Sequence, residues 1–253
     1  MIIYFSATGN CRHTAEALAQ KTEDEAKSIL DFMDGREEAD FRGEKRLGLI
    51  FPTYSWRLPS IVREFIQNTE IKVSENTYVY FVSTYGTTPG ASVHEMRELL
   101  KEKNIEIYSV YSIRMPDTWT PIFDLSDAHK VEAINMSAES EIEAAAASIL
   151  AGDRRKHMKR QMPAFALSIA GRVYDQMRRT DNLYVENSCI SCGLCERKCP
   201  VKAIEIKDGR PVWIKPQCTM CLGCLHRCPV FAIQYGRGRT KDHGQYTNPH
   251  TKM

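Results

Sequence analysis

The chain has 253 residues, with 34 Lys and Arg against 32 Asp and Glu for a formal charge of +2, and 43% of its residues are hydrophobic. That balance supplies a proper core and excludes both a strongly basic nucleic-acid binder and an acidic solvating tail. No apolar run approaches the roughly eighteen residues of a membrane span, and the length calls for more than one domain.

Met1–Phe5 is a short apolar run, Ser6–Cys11 a turn of small residues, and Arg12–Gln20 has the Ala/Leu spacing of a helix. A turn so placed aims backbone N–H groups and the positive end of a helix at one spot, which is how a phosphate is held; the bland alternative is a simple cap. Ser6, Thr8 and Asn10 add side-chain donors. Arg46–Phe51 reads as a buried parallel strand, 52–59 as a loop, and Ser60–Thr69 as a helix with Ser60 as N-cap. The pattern repeats with a strand at Thr77–Ser83, a loop at 84–90, a helix at Ala91–Lys103 and a strand at Ile105–Ile113. Strands alternating with helices predict an α/β doubly wound parallel sheet whose ligand sits at the strands' carboxyl ends, where all three loops lie.

These loops carry a resemblance. Ser6-Ala-Thr-Gly-Asn-Cys11 resembles the phosphate loop of a flavodoxin, Pro52-Thr-Tyr-Ser-Trp-Arg-Leu-Pro59 its first flavin-flanking loop, and Ser83-Thr-Tyr-Gly86 its second. The resemblance implies a five-stranded sheet over residues 1–151 and bound FMN. Its phosphate would lie at Ser6, Thr8, Gly9, Asn10 and Cys11, with Pro52, Thr53, Tyr54, Ser55, Trp56, Thr84, Tyr85 and Gly86 around the ring. Flat aromatics at a sheet edge either cover the core or stack on a planar ligand, and Gly86 would let the backbone approach the ring. Two departures stand out. Cys11 replaces the usual hydroxyl, as a small tolerated residue or as a thiol with its pKa depressed at a helix N-terminus. The loops at 52–59 and 84–90 hold Arg57 and no acid, which predicts tolerance of an anionic reduced ring.

Further on, Met115–Trp119 reads as a turn that brings Trp119 to the flavin or caps the core. Residues 130–151 read as the last helix of the first domain, ended by Gly152. The basic run Arg154–Arg160 and a helical segment at Pro163–Arg179 form an interdomain connector over 152–182. That run is a solvated linker, a docking face for an acidic partner, or an RNA or lipid surface.

Two cysteine runs follow, Cys189, Cys192, Cys195, Cys199 and Cys218, Cys221, Cys224, Cys228, each ending in proline and offset by 29 residues. Their spacing is that of bacterial two-cluster ferredoxins, in which the fourth cysteine of a run serves the other cluster. One 4Fe-4S cluster is therefore assigned to Cys189, Cys192, Cys195 and Cys228, and the second to Cys218, Cys221, Cys224 and Cys199. Zinc prefers four local tetrahedral ligands. Disulfides need an oxidising compartment, and the chain opens without a signal-peptide pattern, so a reducing, cytoplasmic setting is expected. A hairpin over 203–214 turns at Asp208-Gly209, Lys198, Lys202 and Arg227 offset cluster charge, and 183–235 forms a small α+β ferredoxin-like domain. Residues 236–253 read as a mobile polar tail, one that could cover the flavin or a partner site.

The whole chain resembles fusions of a flavodoxin-like half with a two-cluster ferredoxin half. The resemblance implies an electron-transfer protein with FMN and two 4Fe-4S clusters, served by a redox partner protein. A reductase of a small organic acceptor is the main alternative, and a cluster-based redox sensor the weaker one. No nicotinamide fingerprint, nucleic-acid-reading motif or membrane span is present. Should one chain hold flavin and clusters too far apart, a homodimer would complete the path.

Overall fold

The computed structural model describes residues 1–158, 162–163, 165–236 and 239–252. Its first half contains strands β1 (Ile2–Tyr4), β2 (Ala26–Ser28), β3 (Asp40–Phe41), β4 (Arg46–Pro52), β5 (Lys72–Val73), β6 (Tyr78–Tyr85) and β7 (Ser109–Arg114). The helices between and after them are α1 (Asn10–Thr22), α2 (Ile29–Met33), α3 (Ser60–Asn68), α4 (Ser92–Lys101) and α5 (Ala128–Leu150). The main sheet is parallel in the order β2-β1-β4-β6-β7, and β3 and β5 pair separately. Both sheet faces are covered, which is why the strands read as unbroken apolar runs. Ile3, Phe5, Leu49, Phe51 and Phe81 pack under α3 and α4, while Ile2, Ile50, Tyr80, Val82 and Tyr111 pack under α1 and α5.

The register pairs Tyr4 with Ile50, Pro52 with Thr84 and Tyr85 with Arg114, so the strands end along one edge. The chain reverses direction across the sheet between β1 and β4, opening the crevice where such sheets take ligands. Two expectations change, and one strand is new. The edge strand β2 carries no apolar signal in Ala-Lys-Ser and is defined only by its pairing with β1. Ser60 is not an N-cap: Pro59, already extended (φ −54°, ψ 146°), holds that position, and the buried Ser60 hydroxyl has no hydrogen-bond partner. The start of the basic connector joins the sheet, since β8 (Lys156–His157) pairs parallel with β7. Arg154 stacks over the Tyr108 ring at 4.2 Å and Arg155 pairs with Asp153; residues 159 and 160 of that run lie outside the described residues. Gly152 ends α5 as expected, in the left-handed region at φ 64°.

The second half consists of α6 (Ala166–Met177), β9 (Leu183–Val185), α7 (Leu194–Arg197), β10 (Ile204–Lys207), β11 (Arg210–Trp213), α8 (Gly223–His226), β12 (Ile233–Tyr235) and α9 (Arg239–Asp242). β10 and β11 form the expected hairpin, with Asp208 and Gly209 both at positive φ. β9 pairs with β12, and the short helices α7 and α8, one from each cysteine run, pack on each other. The described part of the C-terminal segment is packed rather than mobile, with Thr240, Tyr246 and Asn248 buried. A polar composition predicts a free tail only where its polar groups lack buried partners, and here they have them.

Tyr174 on α6 ties the halves together. Its buried hydroxyl donates to the Thr219 carbonyl (2.7 Å) and accepts from the Ser60 N–H (3.1 Å) at the start of α3. Tyr174→Phe strands both backbone groups and should lower stability by about 1–3 kcal/mol, read as a lower urea midpoint. Among the described residues no helix is long and apolar enough to cross a membrane.

Candidate functional site

The loops at the strand ends enclose a cavity of about 500 Å³, within the range of small-molecule sites. Ser6, Thr8, Asn10, Cys11, Pro52, Thr53, Tyr54, Ser55, Trp56, Thr84, Tyr85 and Gly86 line it; of the predicted ring and phosphate residues Gly9 alone stands behind the wall. Three further segments complete the wall, with Met115–Trp119 and Pro121–Phe123 from the β7–α5 connection, Val173, Tyr174 and Met177 from α6, and Met220–Leu222 from the second cysteine run. Of these only Trp119 is foreshadowed by the sequence; it both lines the cavity and meets Tyr235 edge-on at 5.0 Å.

In the first loop Gly9 adopts φ 100°, its N–H donates to Ser6 Oγ (3.1 Å), and α1 begins at Asn10. Among the described residues none accepts from the N–H groups of Thr8, Asn10 or Cys11. Unsatisfied amides at the start of a thirteen-residue helix fit an anion. The Asn10 side chain is committed to the protein, donating to Pro116 O (3.2 Å) and accepting from Tyr246 and Asn248. Cys11 is buried and shares a 3.0 Å contact with Thr84 Oγ1; burial pushes its thiol up to about 12, which favours the small tolerated residue over the depressed thiol. Desolvation outweighs the helix terminus there.

The second loop is a tight turn in which the Tyr54 and Arg57 N–H groups donate to each other's carbonyls (2.8 and 3.0 Å). Ser55 and Trp56 at its tip both have positive φ, 46° and 63°. Such strain in non-glycine residues concentrates at ligand sites. The buried Ser55 Oγ has no hydrogen-bond partner, and Trp56, 38% exposed, stands at the cavity's rim.

The electrostatic expectation is also corrected. Arg57 is not on the cavity wall; it pairs with the buried Glu95, which also accepts from Leu58 N–H (2.9 Å), so its charge is neutralised locally. The carboxyl that does line the cavity is Asp117, from a loop outside the two considered. Burial raises its pKa, against the Trp119 N–H bond (3.1 Å) that favours the anion. Gly86 is small for this reason, since a Cβ there would lie 2.1 Å from Asp117 Oδ2.

Cys189, Cys192, Cys195 and Cys228 line a second cavity together with Cys224. Cys199 comes near Cys218, Cys221 and Cys224 across the repeat, and Cys224 is also near Cys195. Matched amides point at sulfur in both halves, Ala203 N–H to Cys199 and Ala232 N–H to Cys228, each at 3.2 Å; such bonds tune cluster potential. Burial pushes the Cys195 thiol up to about 11 and Cys218 up to about 12, so bound metal is what would hold them as thiolates. Among the described residues no three His, Cys, Asp or Glu side chains converge on a single ion.

The two sites abut. Cys221 lines the first cavity and packs, with Tyr54, against the sheet core. Arg227 donates to the Ala7 carbonyl of the first loop while lining the cysteine cavity, where its buried Nε has no partner. His226 sits between the halves, its Nε2 2.8 Å from Thr118 O and its Nδ1 accepting from Tyr246 N–H (3.1 Å), which makes Nε2 the protonated nitrogen.

A family model described as a flavodoxin domain matches residues 1–144. The chain belongs to the flavodoxin domain family. Its C-terminal part matches a second model, described as a 4Fe-4S dicluster domain, over residues 188–233. No curated protein matches. Among solved structures, this flavodoxin-family chain is similar to the flavodoxin of Streptococcus pneumonia TIGR4, at 18% identity over 57% of this chain and 97% of that one, with a TM-score of 0.37. It is similar to oxidised flavodoxin 1 of Bacillus cereus at 16% identity over 56% and 95%, with a TM-score of 0.36. The Trp repressor binding protein of Bacillus subtilis matches at 12% identity over 59% and 95%, with a TM-score of 0.39. A flavodoxin domain joined to a 4Fe-4S domain makes this a flavin and iron-sulfur electron-transfer protein.

Proposed function

We propose that the protein passes single electrons through two 4Fe-4S clusters to an FMN held in the 500 Å³ cavity. Bound FMN would supply two-electron storage and the clusters one-electron steps. The amides of Thr8, Asn10 and Cys11 take the phosphate, Trp56 and Tyr85 flank the ring, and Ser55 Oγ supplies a donor that has no other use. Residues 1–151 serve as the FMN domain, 152–182 as connector and 183–235 as the cluster domain. Cys189, Cys192, Cys195 and Cys228 hold the outer cluster, and Cys218, Cys221, Cys224 and Cys199 the inner one. Cys192 is exposed, so a redox partner protein delivers electrons on that side.

One observation carries this reading. Cys221, assigned to the inner cluster, is itself a wall of the flavin cavity, so the path closes within one chain and needs no second copy. Thiolate ligands favour a reducing compartment, the cytoplasm. The apolar rim at Ile122, Phe123, Val173 and Met177, with Ile122 exposed, supports a second reading in which the reduced site also serves a small organic acceptor. Anaerobically purified protein should contain about one FMN and about eight irons per chain. Four irons, or stoichiometric zinc, would overturn the proposal.

A further inference from the structure

Residues 243–252 do not line the flavin cavity, yet they grip the loop that does. Asn248 N–H donates to Thr8 O (2.7 Å) and Asn248 Nδ2 to Asn10 Oδ1 (3.2 Å). The Tyr246 hydroxyl lies 2.9 Å from Asn10 Oδ1 and 3.0 Å from Asn135 Oδ1, and shares its proton between them. Asn10, Asn135, Tyr246 and Asn248 are all buried. Gly9 lies directly beneath this segment: a Cβ there would meet Thr251 Oγ1 at 2.4 Å and Asn248 Cβ at 2.8 Å. Arg12, one turn along α1, donates to Lys252 O at 2.7 Å. The other end of the segment is fixed to the cluster domain, where the Gln245 amide donates to Leu225 O (2.6 Å) and Cys228 O (2.9 Å).

We infer that residues 243–252 are a positioning strap of the cofactor site, holding Thr8 and Asn10 so that the first loop stays in its phosphate-accepting shape. This rests on the FMN reading above. The strap binds the loop only through a carbonyl and a side-chain oxygen, and so leaves the Thr8, Asn10 and Cys11 amides for the ligand. A buried network satisfied at every member fixes one geometry, and a loop held in its bound shape spares the ligand the cost of ordering it. Tyr246 and Asn248 act through Asn10 and Thr8 and touch no part of the cavity, so they are positioning residues.

The test compares FMN with riboflavin, which lacks the phosphate, on the full cluster-loaded chain and on three variants: Tyr246→Phe, Asn248→Ala and a chain ending at Gln245. FMN affinity should fall on the order of 10–100-fold in Asn248→Ala and in the shortened chain, and by less in Tyr246→Phe. Riboflavin affinity and iron content should hold at the full chain's values. Equal losses for both flavins would show a merely structural role and overturn the strap, as would unchanged FMN affinity in Asn248→Ala. If the shortened chain loses its cluster absorbance, the two point variants decide. A full chain that binds riboflavin as tightly as FMN would instead sink the phosphate-site reading on which the strap rests.

Discussion

Cys221→Ser is expected to cut iron from about eight to about four atoms per chain, leave FMN bound, and stop electron exchange between cluster domain and flavin. The proposed flavin contacts lie in the loops at 6–11, 52–59 and 84–90, which the substitution does not touch, whereas Cys221 is where the cysteine domain reaches the cavity wall. Met220 and Leu222 flank it on that wall and shield the contact from water. Cys192→Ser is the control. It is exposed and lines the second cavity, away from the flavin site, so its loss should also halve the iron but leave exchange between the inner cluster and FMN intact. Iron analysis with anaerobic stopped-flow absorbance separates the two variants, and identical behaviour would place the flavin elsewhere.

The second large effect belongs to a residue that never touches the cavity. Glu95 is buried on α4, pairs with Arg57 and accepts the Leu58 N–H, with Arg63 3.9 Å away. Glu95→Ala leaves Arg57 without its counter-charge and should cost about 3–5 kcal/mol of stability. The damage should also reach the flavin. Arg57 closes the turn that carries Ser55 and Trp56 in their left-handed conformations, so weaker FMN binding should accompany the lower urea midpoint. Glu95→Gln keeps an acceptor for Leu58 N–H and should cost less. A Glu95→Ala midpoint equal to that of the parent protein would show that Arg57 finds solvent or another partner.

Much of the site was legible because it depends on local spacing. A strand, a small-residue turn and a helix specify the first loop within a dozen residues, and the cysteine repeat brings both Cys224 and Cys228 beside Cys189, Cys192 and Cys195. What stayed hidden depends on residues distant in sequence meeting through the fold. Arg57 reads as a free cation until Glu95 arrives 38 positions later, and Asp117 enters the cavity from a connection whose only marker was Trp119. The strand β2 has too few apolar residues to show a period, and Ser60 looks like a cap until Pro59 is seen in that place. The C-terminal segment misled most. Its richness in Gly, Arg, Thr, His and Lys reads as a mobile tail, yet Thr240, Tyr246 and Asn248 are buried in a polar seam between the halves, a role no composition reveals.

Rapid mixing of the oxidised protein with a limiting one-electron reductant under anaerobic conditions tests most directly whether flavin and clusters form one intramolecular path. Cluster absorbance should bleach first and recover as the flavin band falls, at a rate independent of protein concentration. A flavin band that stays unchanged, or one that falls at a rate rising in proportion to protein concentration, would contradict it.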